Sequence, residues 1–265
     1  MRSDALWATL EAALEADAPL DEQLRADLTA MLWGNRIDLS LKTSAALGTD
    51  AHDDHLLADD TAAAVDHLLG AEPGALHVVM DNAGTEQAMD YVLADRLLTA
   101  GVAASVTLHV KMQPVLVSDV VVADVHDLIG RMAARGGAAA ALAARLGGHL
   151  DTSRLRVVPD FFWTGPGWIW QLPDRLRQPL DGARLVVFKG DANYRRLTED
   201  AAWAPGRSFA DALAGFPAPA LALRTLKCDA LVGLAPDLVE RMDAAAEPDW
   251  RTCGVYGVAQ FAAAP

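Results

Sequence analysis

Four apolar runs in this chain each end in charged or carboxamide side chains. LHVVM (76–80) is followed by Asp81 and Asn82, with Glu86 shortly after. VTLHV (106–110) leads to Lys111 and, past a proline, to Ser118 and Asp119. LVVF (185–188) runs into Lys189, Gly190, Asp191 and Asn193. LAL (221–223) is followed by Arg224, Thr225 and Lys227. Asp81, Asn82, Asp119 and Asp191 offer oxygen ligands, the kind preferred by hard divalent cations such as Mg²⁺ or Mn²⁺. Lys189, Arg224 and Lys227 suit phosphate, Arg through a planar fork and Lys as a point charge. Gly190 lacks a Cβ, so backbone N–H groups there can approach an anion closely. Acids and cations at one rim describe metal-assisted phosphoryl chemistry, in which the metal neutralises one face of the phosphate and the basic groups hold the other. In that chemistry Asp191 orients or deprotonates the attacking water, or acts as the nucleophile itself.

Each piece also has a plainer reading. Asp81-Asn82 and Asp119 precede helical patterns and suit N-caps. Asp191 and Asn193 suit an Asx turn. Arg224 and Lys227 suit solvated strand ends, and Glu86 suits the exposed first turn of a helix. His52, Asp53, Asp54 and His55 have the composition of a metal cluster. They lie in an acidic stretch with no strand to fix them and read as solvated surface. FFWTGPGWIW (161–170) reads either as the wall of a sugar pocket or as the anchor of a long loop.

The elements that must position these residues alternate. Residues 1 to about 70 carry helical periodicity, including DALWATLEAALEA, DEQLRADLTAMLWGN and a third short helix stopped by Gly70, with no strand signal. Beyond them, ALHVVM, ASVTLHVK, LRVVPD, RLVVFK, ALALRTLK and GVYGVAQF read as strands separated by helical patterns; DALVGL is ambiguous. Such alternation implies a mostly parallel sheet covered on both faces. Ligands of such sheets bind beyond the carboxyl ends of the strands, where the polar residues above fall.

The bulk numbers exclude several classes. The 22 basic against 36 acidic side chains give a net charge of −14, which argues against nucleic acid or an anionic membrane as partner. With 52% hydrophobic residues the chain can form a sizeable core. Cys228 and Cys253 make no CxxC and indicate a reducing compartment, with Cys228 a plain buried thiol. The acid-bearing N-terminal stretch is unlike a signal peptide, and no apolar run reaches the ~18–20 residues of a membrane span. A cytoplasmic protein is expected. GxGxxG, Walker A and GxSxG motifs are absent.

The ordered segments WGNRIDLS, MDNAGTE, VKMQPVLVSDV, FFWTGPG, LVVFKGDANYRRL, LRTLKCD and GVYGVAQF run from Trp33 to Phe261. Together they resemble the DUF89 family of metal-dependent damage-control phosphatases, within it the ARMT1-like subgroup bearing an Arg-Thr-x-Lys motif. The resemblance implies an α/β/α sandwich, a divalent metal, and hydrolysis of phosphorylated sugars or related metabolites. It maps Asp81, Asn82 and Asp119 to metal ligands and Glu86 to a substrate contact. It places Gly190, Asp191, Ala192, Asn193, Tyr194 and Lys227 at the substrate phosphate. Family members carry a longer helical region before the Trp-Gly-Asn segment, which 32 residues precede here. Ala192 stands where a larger apolar residue is usual, and Cys228 where alanine is common.

The expectation is thus a three-layer α/β/α sandwich, with a helical region at 1–72 packed on a catalytic domain at 73–265. Its activity would be divalent-metal-dependent hydrolysis (Mn²⁺, Co²⁺, Ni²⁺ or Mg²⁺) of a small phosphorylated metabolite, with sugar phosphates as the leading class. Arg224 joins the substrate-binding set by its position at a strand end. Two alternatives stand beside it. One is an S-adenosylmethionine-dependent carboxyl methyltransferase, for which no glycine-rich cofactor loop is present. The other is a non-catalytic metabolite-binding relative. The residues leave oligomeric state open.

Overall fold

The computed structural model describes residues 3–40, 55–204, 206–245 and 249–263. The strands are β1 (Leu56–Asp59), β2 (Gly74–Val79), β3 (Ala103–Lys111), β4 (Leu155–Asp160), β5 (Leu185–Lys189), β6 (Ala220–Thr225) and β7 (Gly257–Ala262). They form one sheet in the order β1-β7-β6-β5-β2-β3-β4. The five strands from β6 to β4 are parallel, and β7 runs antiparallel to β6 with β1 parallel to β7. After β2 the chain builds outward through β3 and β4; it then returns to the other side of β2 for β5 and β6. The carboxyl ends of β2 and β5 therefore flank the topological switch point, where open α/β sheets hold their ligands.

The inner parallel strands β2, β3, β5 and β6 are largely buried on both faces, so their sequences are nearly continuous apolar runs. Successive side chains still alternate between two cores. Leu185 and Val187 of β5 enter the core shared with α1 (Ser3–Glu15), α2 (Leu20–Ser40), α3 (Thr61–Leu69), α4 (Thr85–Thr99), α5 (Val122–Arg135) and α6 (Gly137–Asp151). Val186 and Phe188 enter the opposite core. There they meet α7 (Phe161–Thr164), α8 (Asp174–Leu180), α9 (Gly190–Leu197) and α10 (Phe209–Ala212), with α11 (Pro236–Ala244) packed alongside. Truncating one of these fully buried side chains, Phe188→Ala, would cost about 3–5 kcal/mol.

One reading of the N-terminal third is corrected. Leu56–Asp59 is not helical but an edge strand paired with β7. It is four residues long and mostly half-buried, so it carries neither alternation nor a full apolar run. Asp60, just after it, accepts the amide of Phe261 at 2.9 Å and fastens this edge to β7. DALVGL forms no strand, only one bridge between Ala202 and Leu231. His52, Asp53 and Asp54 lie outside the described residues; His55 is half-buried with its ring 5.4 Å from that of Tyr256.

Candidate active site

Two distant segments are tied together beyond β2. Ala83 N donates to Ser118 O (2.7 Å) and Val120 N to Asp81 O (3.0 Å), with an antiparallel bridge between Asn82 and Asp119. Ser118 Oγ donates to Asn82 Oδ1 at 2.6 Å. Asn82 Nδ2 in turn donates to Asp81 Oδ2 (2.6 Å) and to Glu86 Oε2 (3.2 Å). Asp119 Oδ2 accepts the amides of Val115 (2.8 Å) and Leu116 (2.7 Å). Its Oδ1 contacts the ammonium of Lys111, which also lies 3.9 Å from Asp81 Oδ1. None of the three is a helix cap: Gly84 caps α4 and Val121 caps α5. Asp81, Asn82 and Asp119 thus converge, and all are buried.

Lys189 is placed differently from its reading as a phosphate cation. Its residue parity in β5 matches Leu185 and Val187, so it points toward α4. Fully buried there, it pairs with Glu86 Oε1 at 3.0 Å and Asp90 Oδ1 at 2.7 Å. Glu86, expected as an exposed or substrate-facing acid, is likewise buried, one oxygen on Lys189 and the other on Asn82. Gly34 of α2 permits this packing, because a Cβ there would lie 2.7 Å from Glu86 Cα. Burial pulls the Lys189 pKa down, but Asp90 and Glu86 together outweigh it and hold the ammonium above its usual range. Burial pushes Asp90 up to about 6, against the pull of Lys189.

The stretch after β5 is a helix, not the expected loop. Gly190 opens α9 with φ +83°, and a Cβ on it would fall 2.0 Å from Asp81 Oδ2. Both the conformation and the close approach require glycine. The first turn of α9 therefore abuts the Asp81 carboxylate, and Asp191 and Ala192 follow on the rim. Asp191 Oδ1 accepts from Arg224 Nε (2.8 Å) and more distantly from Lys227 N (3.3 Å). Arg224 is fully buried. Its other nitrogens donate to the carbonyls of Ala230 and Cys228, and its plane lies 4.3 Å over the Tyr194 ring. Its donors are thus occupied within the protein, and one of them holds Asp191 Oδ1. Asn193 also turns inward, its amide donating to Lys189 O (2.8 Å) and Met80 O (3.2 Å). Tyr194 is buried, its hydroxyl donating to Gln260 Oε1 at 2.8 Å. Lys227 is exposed, its backbone amide is beside Asp191, and its charge lowers the Asp81 pKa. Cys228 is half-buried, and burial pushes its thiol up rather than activating it.

A cleft of about 300 Å³ opens beside these groups, lined by Lys111, Leu116, Trp163, Trp168, Ala192 and Arg195 among others. The aromatic segment anchors on the core and also lines the cleft. Trp163 is buried in the core while Trp168 faces the cleft. Arg196 holds the segment by donating to the carbonyls of Trp163, Gly165 and Gly167. Arg195 borders the cleft, its Nε donating to Asp200 at 2.7 Å. The cleft roles of Arg195 and Lys111 carry no motif of their own; the only signal is their position one helical turn or one strand end from the acids.

Among the described residues no three His, Cys, Asp or Glu side chains converge as a metal cage. The candidate set is two carboxylates and a carboxamide, all oxygen donors. Charge favours a cation there. Four buried carboxylates (Asp81, Glu86, Asp90, Asp119) face two buried ammoniums (Lys111, Lys189), which would leave −2 with all four ionised. Burial and then the neighbouring Glu86 push Asp81 up to about 7, against Lys111, Lys189 and Lys227. A divalent cation would cancel that residue of charge, and these residues fit one.

Residues 1–242 match the damage-control phosphatase ARMT1-like domain, and this chain belongs to that family. Damage-control phosphatase ARMT1 of Rattus norvegicus is 35% identical over 255 residues, covering 88% of this chain and 57% of the relative. That of Xenopus tropicalis is 35% identical over 262 residues, covering 91% and 59%. The chain thus spans somewhat over half the length of the relatives it matches. A DUF89 family protein from Pyrococcus horikoshii shares the fold at 15% identity, with TM-score 0.53 over 98% of this chain and 72% of that one. No helix among the described residues is long and apolar enough to cross a membrane.

Proposed function

We propose that this chain is a divalent-metal-dependent phosphatase acting on a small phosphorylated metabolite, with sugar phosphates the class to test first. The observation that carries the reading is the convergence of Asp81, Asn82 and Asp119, with Asp81 against the first turn of α9, in a buried setting richer in carboxylates than in ammoniums. Asp81, Asn82 and Asp119 would hold the metal. When bound, the metal supplies Lewis-acid neutralisation of the phosphoryl oxygens. The protein supplies the rest. The amides opening α9 point their N–H groups at the phosphoryl group, unobstructed because Gly190 carries no Cβ. Lys227 reaches the same anion from β6. Asp191, fixed through Oδ1 by Arg224, keeps Oδ2 for the attacking water. Glu86 and Asn193 position the machinery without touching substrate. The leaving group lies in the cleft against Trp168 and Ala192, shielded from water by Leu116. The name borne by the relatives, damage-control phosphatase, agrees with this reading.

The test is hydrolysis of an aryl phosphate by purified protein with Mn²⁺, Co²⁺, Ni²⁺ or Mg²⁺, followed by a panel of phosphorylated metabolites. Activity is expected to vanish with chelator and in Asp81→Ala. Full activity in chelator would remove the metal from the reading.

A further inference from the structure

Lys111 is the buried charge that this chemistry leaves unused. It is 4% exposed, yet it borders the cleft. Its ammonium contacts Asp119 Oδ1 and lies 3.9 Å from Asp81 Oδ1, the two carboxylates assigned to the metal. Asp119 Oδ2 is already taken by the amides of Val115 and Leu116. The oxygen that Asp119 has to give an incoming ion is therefore the one Lys111 holds. An ammonium and a divalent cation compete for it, because each repels the other at contact distance. Lys111 has somewhere to go: its four-carbon stem is flexible and the cleft is beside it. Lys189 is the contrasting case, enclosed by Glu86 and Asp90 with no open space at its head.

We propose that Lys111 is a tethered counter-ion of the metal site. It holds Asp81 and Asp119 together while the site is metal-free. It yields their oxygens to a divalent cation and turns its ammonium into the cleft, where it meets the substrate phosphoryl group. The proposal rests on the metal assignment of Asp81, Asn82 and Asp119.

The direction of one effect separates this from an architectural role. A lysine that merely braces the site would, once removed, let the carboxylates part and weaken metal binding. A competing cation, once removed, leaves the metal bound more tightly. The experiment is calorimetric titration of Mn²⁺ into chelator-treated full-length protein, comparing wild type with Lys111→Met and Lys111→Arg. Lys111→Met is expected to bind Mn²⁺ about tenfold tighter or more. Its metal-free form melts below wild type, and its melting temperature rises further on adding Mn²⁺. Lys111→Arg, which keeps the charge, stays near the wild-type Kd. In Mn²⁺-loaded protein, Lys111→Met raises KM for an aryl phosphate more than it lowers kcat. Unchanged or weaker Mn²⁺ affinity in folded Lys111→Met overturns the proposal. Lys111→Gln, which retains a hydrogen bond to Asp119, makes the same comparison should the methionine variant not fold. A wild type that binds no divalent ion overturns the metal assignment instead.

Discussion

Gly190→Ala tests the site with one methyl group. The added Cβ would stand 2.0 Å from Asp81 Oδ2 and 2.3 Å from its Cγ. Ordinary contact begins near 3.4 Å, so the carboxylate must retreat by 3.4 Å less 2.0 Å, or 1.4 Å. It is a side-chain end and can move, but doing so breaks the 2.6 Å bond from Asn82 Nδ2 and shifts a proposed metal ligand. A misplacement of about 1 Å at a reacting centre costs roughly 100-fold in rate. Alanine at φ +83° adds strain of about 1–2 kcal/mol. In a chain of this size that lowers the melting temperature by only a few degrees.

Gly182→Ala separates the two contributions. Gly182 has φ +75°, and a Cβ there meets nothing within 4 Å. It should lose the same few degrees and keep full activity. The assay pairs thermal melts with Mn²⁺ titration and aryl phosphate kinetics. Gly190→Ala is expected to fold, to bind Mn²⁺ more weakly, and to turn over about 100-fold more slowly. Equal activity in Gly190→Ala and Gly182→Ala would show that α9 does not abut the working carboxylate.

Other substitutions divide stability from chemistry. Lys189→Met leaves Glu86 and Asp90 buried without their cation and should cost about 3–5 kcal/mol in urea unfolding; Lys227→Ala, at an exposed position, should leave the unfolding curve unchanged while slowing turnover. Burial holds His77 near pKa 4 and His109 near 3, below the ordinary 6.5, with His77 Nδ1 2.9 Å from His109 Nε2. A base with a depressed folded pKa contributes stability above 6.5 that is lost as pH falls toward 4. Relative to wild type, the double variant His77→Gln/His109→Gln should therefore gain stability between pH 7 and pH 5, read from paired melts. Trp168→Ala removes a cleft wall and is expected to raise KM severalfold, with little change in melting temperature, for ring-bearing substrates in particular.

The strands at the switch point were legible because burial on both faces makes them continuous apolar runs. The convergence of their polar ends followed from topology alone. β1 was not legible, since four half-buried residues carry no period. α9 looked like a loop because Gly, Asp and Asn are turn-forming residues. Only the fold shows that Asn193 spends its amide on carbonyls at the joint between β2 and α9. The directions in which Lys189 and Arg224 point were not read, although the sequence contained them. A strand end has two faces, and parity with Leu185 and Val187 puts Lys189 on the α4 side. Parity with Ala220 and Ala222 puts Arg224 on the side of Tyr194.

That parity also accounts for the division of labour around Asp81. β3 and β5 flank β2, and each ends in a buried lysine. Val106, Leu108 and Val110 share one core with Leu185 and Val187, so Lys111 and Lys189 leave the sheet on opposite faces. Lys189 enters a closed layer and is clamped by two acids, which fixes the helix that carries Glu86. Lys111 leaves toward an open cleft and holds one carboxylate closely and another at 3.9 Å. Two like cations at the ends of the strands flanking β2 thus differ in surroundings: one head is enclosed by the acids of α4, and the other borders the cleft.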